Sequence, residues 1–180
     1  MTRTPVVVAI VGLALAAVAA ASSRSPMQSA PRSVPCSDII EHTEWPYAGS
    51  HDSHYRYRPV LRVVSAPPAY ISQVVHLRDG AWPYLEKAGL VVRAGRGPVT
   101  VSVPPAWRKR AAITWGSNTG IVNSLRIVRC GSDPSRGNAY TGGFYLRSRS
   151  ACLPLIFAAG GHRTTVRFGL GRRCGTALVG

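Results

Sequence analysis

The residues of this chain on which chemistry could be built are five histidines, seven carboxylates and four cysteines. His51-Asp52-Ser53-His54 sets two imidazoles and a carboxylate within one short run, and zinc accepts both ligand types. The run is polar, unpatterned and flanked by Gly49 and Tyr55, so it reads as an exposed loop that would need a distant third ligand. No metal and no other cofactor is expected. Nucleophilic catalysis needs a serine or cysteine beside a base. Ser117 follows Gly116 directly, one place too early for a nucleophile elbow, and no spacing ties it to His76 or His162. Glycoside hydrolysis needs two carboxylates about the scissile bond. Asp79 and Glu86 flank Trp82 and Tyr84, which makes Asp79–Lys87 the stretch where acids sit beside aromatic platforms. Trp45, Tyr47, Tyr55 and Tyr57 form a second aromatic group. Such rings stack on sugars, but they also cover the edges of a small β core. In Tyr55-Arg56-Tyr57-Arg58 the alternation fits a strand with tyrosines inward and arginines outward. No catalytic residue is assigned.

A phosphate loop is the other chemistry to weigh, at Gly169-Leu170-Gly171-Arg172-Arg173. A dinucleotide-type cradle needs its glycines after a strand and opening a helix. Here Arg172, Arg173 and Cys174 follow at once. The glycines are expected to bend the final strand so that Cys174 reaches its partner.

The cysteines are Cys36, Cys130, Cys152 and Cys174, and none has the C-x-x-C spacing of a zinc site. An even number in an oxidising compartment reads as disulfides. Of the three possible pairings, Cys130–Cys152 brackets a hairpin-sized segment and Cys36–Cys174 ties the ends of the domain, so these two are expected. Each bridge adds roughly 2–4 kcal/mol by restricting the unfolded chain.

The oxidising compartment is inferred from the N-terminus. Met1–Ala21 has a basic head at Arg3, an apolar run from Val6, and small residues that fit the A-x-A cleavage pattern. The run falls short of the roughly 20 apolar residues that a bilayer core requires, so it reads as a cleaved export signal, not an anchor. A secreted or cell-surface protein is expected. Ser22–Pro35, rich in Ser and Pro, reads as a flexible leader. A single domain from Cys36 to Cys174 and a short tail over 175–180 complete the organisation.

Net charge is +15, from 22 basic and 7 acidic residues, and all the basic residues except Lys87 and Lys109 are arginine. After Asp133 no acid offsets Arg136, Arg147, Arg149, Arg163, Arg167, Arg172 and Arg173. GC-rich coding bias accounts for arginine without a ligand, whereas attraction to polyanions gives it a use. Nucleic acid is disfavoured, because the arginines are scattered outside any binding motif and export removes the target.

Strand periodicity dominates the domain. Val99, Val101 and Val103 alternate with Thr100 and Ser102, the pattern of a half-buried strand. Ile113 with Trp115, Leu125 with Ile127, Phe144 with Leu146, Leu153 with Leu155 and Phe157, and Val166 with Phe168 repeat it. Further strands are expected around Leu61, Val75 and Val91. Gly-, Pro- and Asn-rich turns separate these runs, with a hairpin turn at Gly160-Gly161. Helical turns are expected only at Trp82–Ala88 and Pro105–Arg108. The pattern predicts an all-β, antiparallel β-sandwich, immunoglobulin-like or jelly-roll-like, with two disulfides.

The run Lys87-Ala88-Gly89-Leu90-Val91-Val92-Arg93-Ala94-Gly95, then Val99–Pro104, Arg129-Cys130, Gly142-Gly143-Phe144, Cys152-Leu153-Pro154-Leu155 and Phe168–Cys174 resembles a group of small exported proteins from high-GC Gram-positive bacteria with no assigned function. The likeness covers roughly 82–174, and its most specific parts are Gly-Gly-Phe and the closing Gly-Arg-Arg-Cys. It implies export and a compact cysteine-bridged domain, and it carries over no catalytic residues.

The expected function is therefore an exported, non-catalytic binding or structural module. Arg147, Arg149, Arg167, Arg172 and Arg173, with Trp82 and Tyr84, would meet an anionic cell-wall polymer, polysaccharide or membrane surface. A small secreted hydrolase or carbohydrate-active enzyme using Glu86 or Asp79, and a folded domain without a ligand, are the competing expectations.

Overall fold

The structure is a computed structural model that describes residues 30–49, 56–77 and 80–175. The expected export signal, most of the expected leader, the His51–His54 run, Asp79 and residues 176–180 lie outside these residues.

The described chain is almost entirely strand: β1 (Arg32–Val34), β2 (Glu41–Glu44), β3 (Arg58–Val60), β4 (Val64–Ala66), β5 (Tyr70–Ile71), β6 (Val75–His76), β7 (Tyr84–Lys87), β8 (Leu90–Arg93), β9 (Val99–Ser102), β10 (Ala111–Trp115), β11 (Ser124–Ile127), β12 (Arg136–Tyr140), β13 (Gly142–Leu146), β14 (Ala151–Ala159) and β15 (His162–Leu170). Short 3-10 turns at Cys36–Asp38 and Pro105–Trp107 interrupt it. The second was expected, since Pro104-Pro105 fixes the backbone that opens it.

One layer is a six-stranded sheet in the order β1-β11-β9-β14-β15-β5. Its long hairpin β14–β15 closes through Gly160 and Gly161, both at positive φ (55° and 79°). That is the requirement of a two-residue turn whose twist matches its strands. The other layer contains a four-stranded sheet, β10-β13-β7-β6, and a five-stranded sheet, β2-β12-β8-β4-β3. These two share one ladder. Tyr140 stands opposite Leu90 in the five-stranded sheet and Gly143 opposite Lys87 in the four-stranded one, which is a single unbroken register. Ala88 N–H donates to Gly142 O across the bend at 3.0 Å. Gly142 and Gly143 occupy the bend because a Cβ there would overlap the Thr114 and Glu86 carbonyls. The molecule is thus an antiparallel sandwich of a six-stranded layer and a bent layer, with β1 on β11 and β5 on β15 as the parallel pairs among the described residues.

The alternations read in β9, β10, β11, β13 and β14 point into this sandwich, as does Phe168 of β15, while Val166 is half-buried. Val99, Val101, Val103, Ile113, Trp115, Leu125, Ile127, Phe144, Leu146, Leu153, Leu155, Phe157 and Phe168 are fully buried. The layers meet at Phe144 and Phe168, with ring centroids 5.1 Å apart, and Trp115 stands edge-on to Phe144 at 5.5 Å. The indole N–H of Trp115 donates to Ala88 O at 2.8 Å, which satisfies the one polar atom such a ring brings inside.

Five expectations need correction. The disulfides are Cys36–Cys130 and Cys152–Cys174, not Cys130–Cys152 and Cys36–Cys174. Parallel pairing of β1 with β11 carries both chains out at the same end, so Cys36 and Cys130 emerge side by side. At the other bridge Cys152 lies opposite Gly169, and the chain turns back at Gly171 (φ 65°) to bring Cys174 over it. A Cβ on Gly169 would sit 3.1 Å from Cys174 N, so the missing side chain makes room for the return. The glycines thus act as a bend and a tether, with a different partner for Cys174.

The ordered domain also starts before Cys36, within the stretch read as leader, because Val34 buries completely on joining the six-stranded sheet. The stretch expected as one strand at Leu61 is a hairpin, β3–β4, turning through Leu61 and Arg62 at positive φ (50° and 56°). The stretch expected around Val75 is split between β5 and β6 in different sheets, and Val75 is half-exposed. Finally, Trp82–Ala88 is not helical. It contains β7, whose edges are claimed by β13 and β6.

Candidate functional site

The outer face of the six-stranded sheet is built by the residues that alternate with its core. Thr100 and Ser102 project from β9, Ser124 from β11, and Ile156 and Ala158 from β14. Register places Ser102 between Ser124 and Ile156, and Thr100 beside Ala158. These side chains floor a groove of about 420 Å³. Its walls include Pro31 before β1, the turn at Pro105 with Arg108, and Arg163, which stands opposite Ala158 on β15. Ser102 and Ser124 hydroxyls lie 2.7 Å apart. Asn123 Oδ1, also at the groove, is buried without a hydrogen-bond partner. Arg108 Nε donates to Val103 O at 3.4 Å, which fixes the side chain at the groove edge while that bond leaves its two terminal nitrogens unused. Next to it Arg110 lies over the Trp107 ring at 4.1 Å, a cation–π stack that fixes a further cation near the rim.

The arrangement suits an anionic, hydroxyl-bearing ligand. Guanidinium groups pair with carboxylate or phosphate oxygens through parallel N–H bonds, and a floor of hydroxyls can both donate and accept. None of the six strands of this sheet contains an acidic residue.

The arginines expected from the sequence divide between places. Arg167 is exposed on the outer face of β15, facing Pro154 on β14. Arg147, Arg149, Arg172 and Arg173 are exposed at the opposite end of the β14–β15 hairpin from the groove. There the bend at Gly171 lies so close to Arg149 O that a Cβ would fall 2.8 Å from it. Arg147 stands over Trp82 at 5.1 Å and Arg173 over Tyr70 at 4.8 Å, so two of the four are held by aromatic rings. At about 3.3 Å per residue, that end lies about 23 Å from Arg163 along β15. Tyr84 forms no platform with Trp82. It is half-buried on the inner side of β7 and packs against His76 at 5.2 Å. In the Tyr-Arg alternation, Arg58 is not outward either. It is half-buried, with its guanidinium 5.1 Å from the centre of the Phe168 ring, and burial lowers its pKa.

Arg108 and Arg163 were not singled out as site residues. The signal for the first was present in Trp107-Arg108-Lys109-Arg110, a cluster of three cations behind an aromatic. No sequence signal pairs it with Arg163, because the two meet only through sheet order.

Glu86, one of the two acids named in the competing hydrolase expectation, is buried at 4% exposure on the inner side of β7, across from Phe144. Its Oε2 has no hydrogen-bond partner, and desolvation raises its pKa to about 7. It borders a separate pocket of about 160 Å³ with Tyr57, Ile71 and Ala88. It does not form a surface pair with Trp82. Among the described residues no cluster of three or more metal-ligating side chains occurs, and no helix is long and apolar enough to cross a membrane.

No family model, no curated protein and no solved structure matches the chain.

Proposed function

We propose that this protein is an exported, non-catalytic module that binds an anionic, hydroxyl-rich polymer of the cell envelope along the outer face of its six-stranded sheet. The observation that carries the reading is the groove in which Arg108 and Arg163 bracket the Thr100, Ser102 and Ser124 hydroxyls on a sheet without carboxylates. Arg167 continues the positive charge along β15, and Arg172 and Arg173 extend it to the far end. A chain of anionic repeats can follow that track, whereas a single small anion would use the groove alone. Two disulfides among the described residues suit an oxidising environment, in keeping with the export signal read from Met1–Ala21 and with the likeness to small exported cysteine-bridged proteins.

The test is equilibrium binding of the purified protein to a glycerol-phosphate polymer and to a polyuronate, each followed across a salt series. Affinity should fall steeply as salt rises, because exposed charges are screened within about 8–10 Å at 0.1–0.15 M ionic strength. Arg108→Gln with Arg163→Gln should weaken binding about tenfold, about 1.4 kcal/mol. Absence of binding to both polymers at 10 mM salt, taken as roughly a 30 Å screening length, would rule the reading out in favour of a domain whose arginines serve no ligand.

A further inference from the structure

The pocket at Glu86 is a second site, independent of the groove. It lies at the inner face of β7, where Ile71 from β5 and Ser72 beyond it meet Ala88 and the Tyr57 side chain. A carboxyl enclosed to this degree normally has a donor for each oxygen, because an unmet acceptor inside a protein loses its water without replacement. Glu86 Oε2 has none. One donor in the lining, the Tyr57 hydroxyl, is used elsewhere and donates to Gly89 O at 3.2 Å. The space beside the carboxyl is about 160 Å³, room for several water-sized groups, with Pro68, Ile71 and Ala88 as its apolar walls and Ser72 and Gln73 as uncharged polar ones. Such a cavity calls for a short aliphatic body that carries one hydrogen-bond donor with a positive charge.

We infer that this pocket binds a primary ammonium group on a short aliphatic chain, with Glu86 as its counter-ion.

Among the described residues, the charged and titratable groups that line it are Glu86, Lys87 and Tyr57, and they leave room for one cation. Lys87, the other charged residue at the pocket, projects from the opposite side of β7 and is exposed. Tyr57 keeps its proton, since burial pushes its pKa to about 12. The segment Pro68–Gln73 contributes no charged side chain to the lining. Burial raises Glu86 to about 7 by penalising its ionised form, and an ammonium in the pocket would reverse that penalty. Binding then requires Glu86 to lose its proton, so affinity should rise with pH up to about 7 and level off above it. An alkylammonium stays charged throughout, as lysine does.

The experiment is a methyl and carboxyl NMR titration of the full chain with butylammonium chloride, at constant ionic strength, at pH 6 and pH 8. Saturable shifts at Ile71, Ala88 and the Glu86 carboxyl are expected, with Kd about tenfold lower at pH 8 than at pH 6. Butanol and butyrate, which share the body without the charge or with the opposite one, should bind at least tenfold more weakly. Glu86→Gln should abolish the shifts while keeping the folded spectrum, and Ser72→Leu, at an exposed lining position, should weaken binding without altering the Glu86 titration. Equal affinity at both pH values, undiminished binding to Glu86→Gln, or shifts mapping elsewhere would each overturn the assignment. Should Glu86→Gln fail to fold, the pH comparison on the unsubstituted protein decides. Polyanion binding is read separately, so neither result can stand in for the other.

Discussion

The outer face of the six-stranded sheet and the β2–β12 edge of the five-stranded sheet divide the charge of this molecule between them. The first has Arg126, Arg163 and Arg167 among serines, threonines and small apolar residues, and no acid in any of its strands. The second holds the exposed carboxylates of the described chain. Glu41 and Glu44 lie on β2, and Asp133 lies in the turn that leads into β12. There Glu44 and Asp133 have a cation or hydrogen-bond donors nearby. Glu44 lies opposite Arg136, Arg136 donates to His42 O at 2.9 Å, and Asp133 accepts from both the Ser135 hydroxyl and its backbone N–H. Those two bonds hold the Asp133 pKa below its ordinary value. A net charge of +15 is therefore not spread evenly. One face has cations and no acid in its strands, and the other sets its acids around Arg136. Coding bias alone would enrich arginine everywhere, so the segregation of carboxylates, more than the number of arginines, is what favours a ligand.

The two disulfides differ in the loops they close, one on the way from β1 and β11 to the acidic edge and one at the far end of the basic face, and removing them should give the largest effects. Cys36–Cys130 closes a separation of 94 residues and Cys152–Cys174 one of 22. By loop-closure entropy, Cys36→Ser with Cys130→Ser should cost about 4–5 kcal/mol and Cys152→Ser with Cys174→Ser about 3 kcal/mol, measured by denaturant unfolding. A larger loss from the second pair would mean that native contacts on the basic face, not restriction of the unfolded chain, set the order.

Between the layers, Glu86 gives the next effect. Its folded pKa is raised from 4.5 to about 7, so the stability it contributes is fully present below about pH 4.5 and is lost as pH rises through about 7. Glu86→Gln should therefore unfold at higher denaturant than the parent at pH 8, and the advantage should vanish near pH 4. A parent whose stability did not fall between pH 4.5 and 8 would contradict the burial of an unpartnered carboxyl.

On the basic face the two ends can be told apart by ligand length. Arg172→Gln with Arg173→Gln should weaken a long polyanion about threefold, about 0.7 kcal/mol, and leave a short oligomer unaffected. Equal losses for both lengths would place the short oligomer at the far end of β15 and not in the groove. The smallest change is expected from Glu41→Gln with Glu44→Gln at the acidic edge, less than twofold, because those exposed charges lie on a different sheet from the groove and are screened within about 8–10 Å at 0.1–0.15 M salt. A larger gain would show that the acidic edge repels the ligand from afar.

Much of this comparison is legible in the sequence. The valines of β9 and the leucines of β14 alternate so strictly that their inward and outward faces follow from period two alone, and the outward serines and threonines of the groove floor follow with them. What spacing does not encode is which strands become neighbours. Arg108 and Arg163 meet because β9 and β15 both flank β14, and Cys36 meets Cys130 because β1 lies parallel to β11. Trp82–Ala88 reads as a turn of helix for lack of β-branched residues, and pairing with β13 overrides that local preference. The β3–β4 turn uses Leu61 and Arg62, neither a turn-forming residue, so it left no mark that a reader of sequence could use.

The unbroken register through Ala88 and Gly142 sets where this chain can change length. Adding one residue between Gly137 and Gly143 would invert the inside and outside of one arm while leaving the other unchanged, since a single-step slip reverses every side chain beyond it. The tip at Gly160-Gly161 has open space around both residues. Natural insertions, or a reporter peptide added by design, belong at that tip, a few residues from the Arg163 wall.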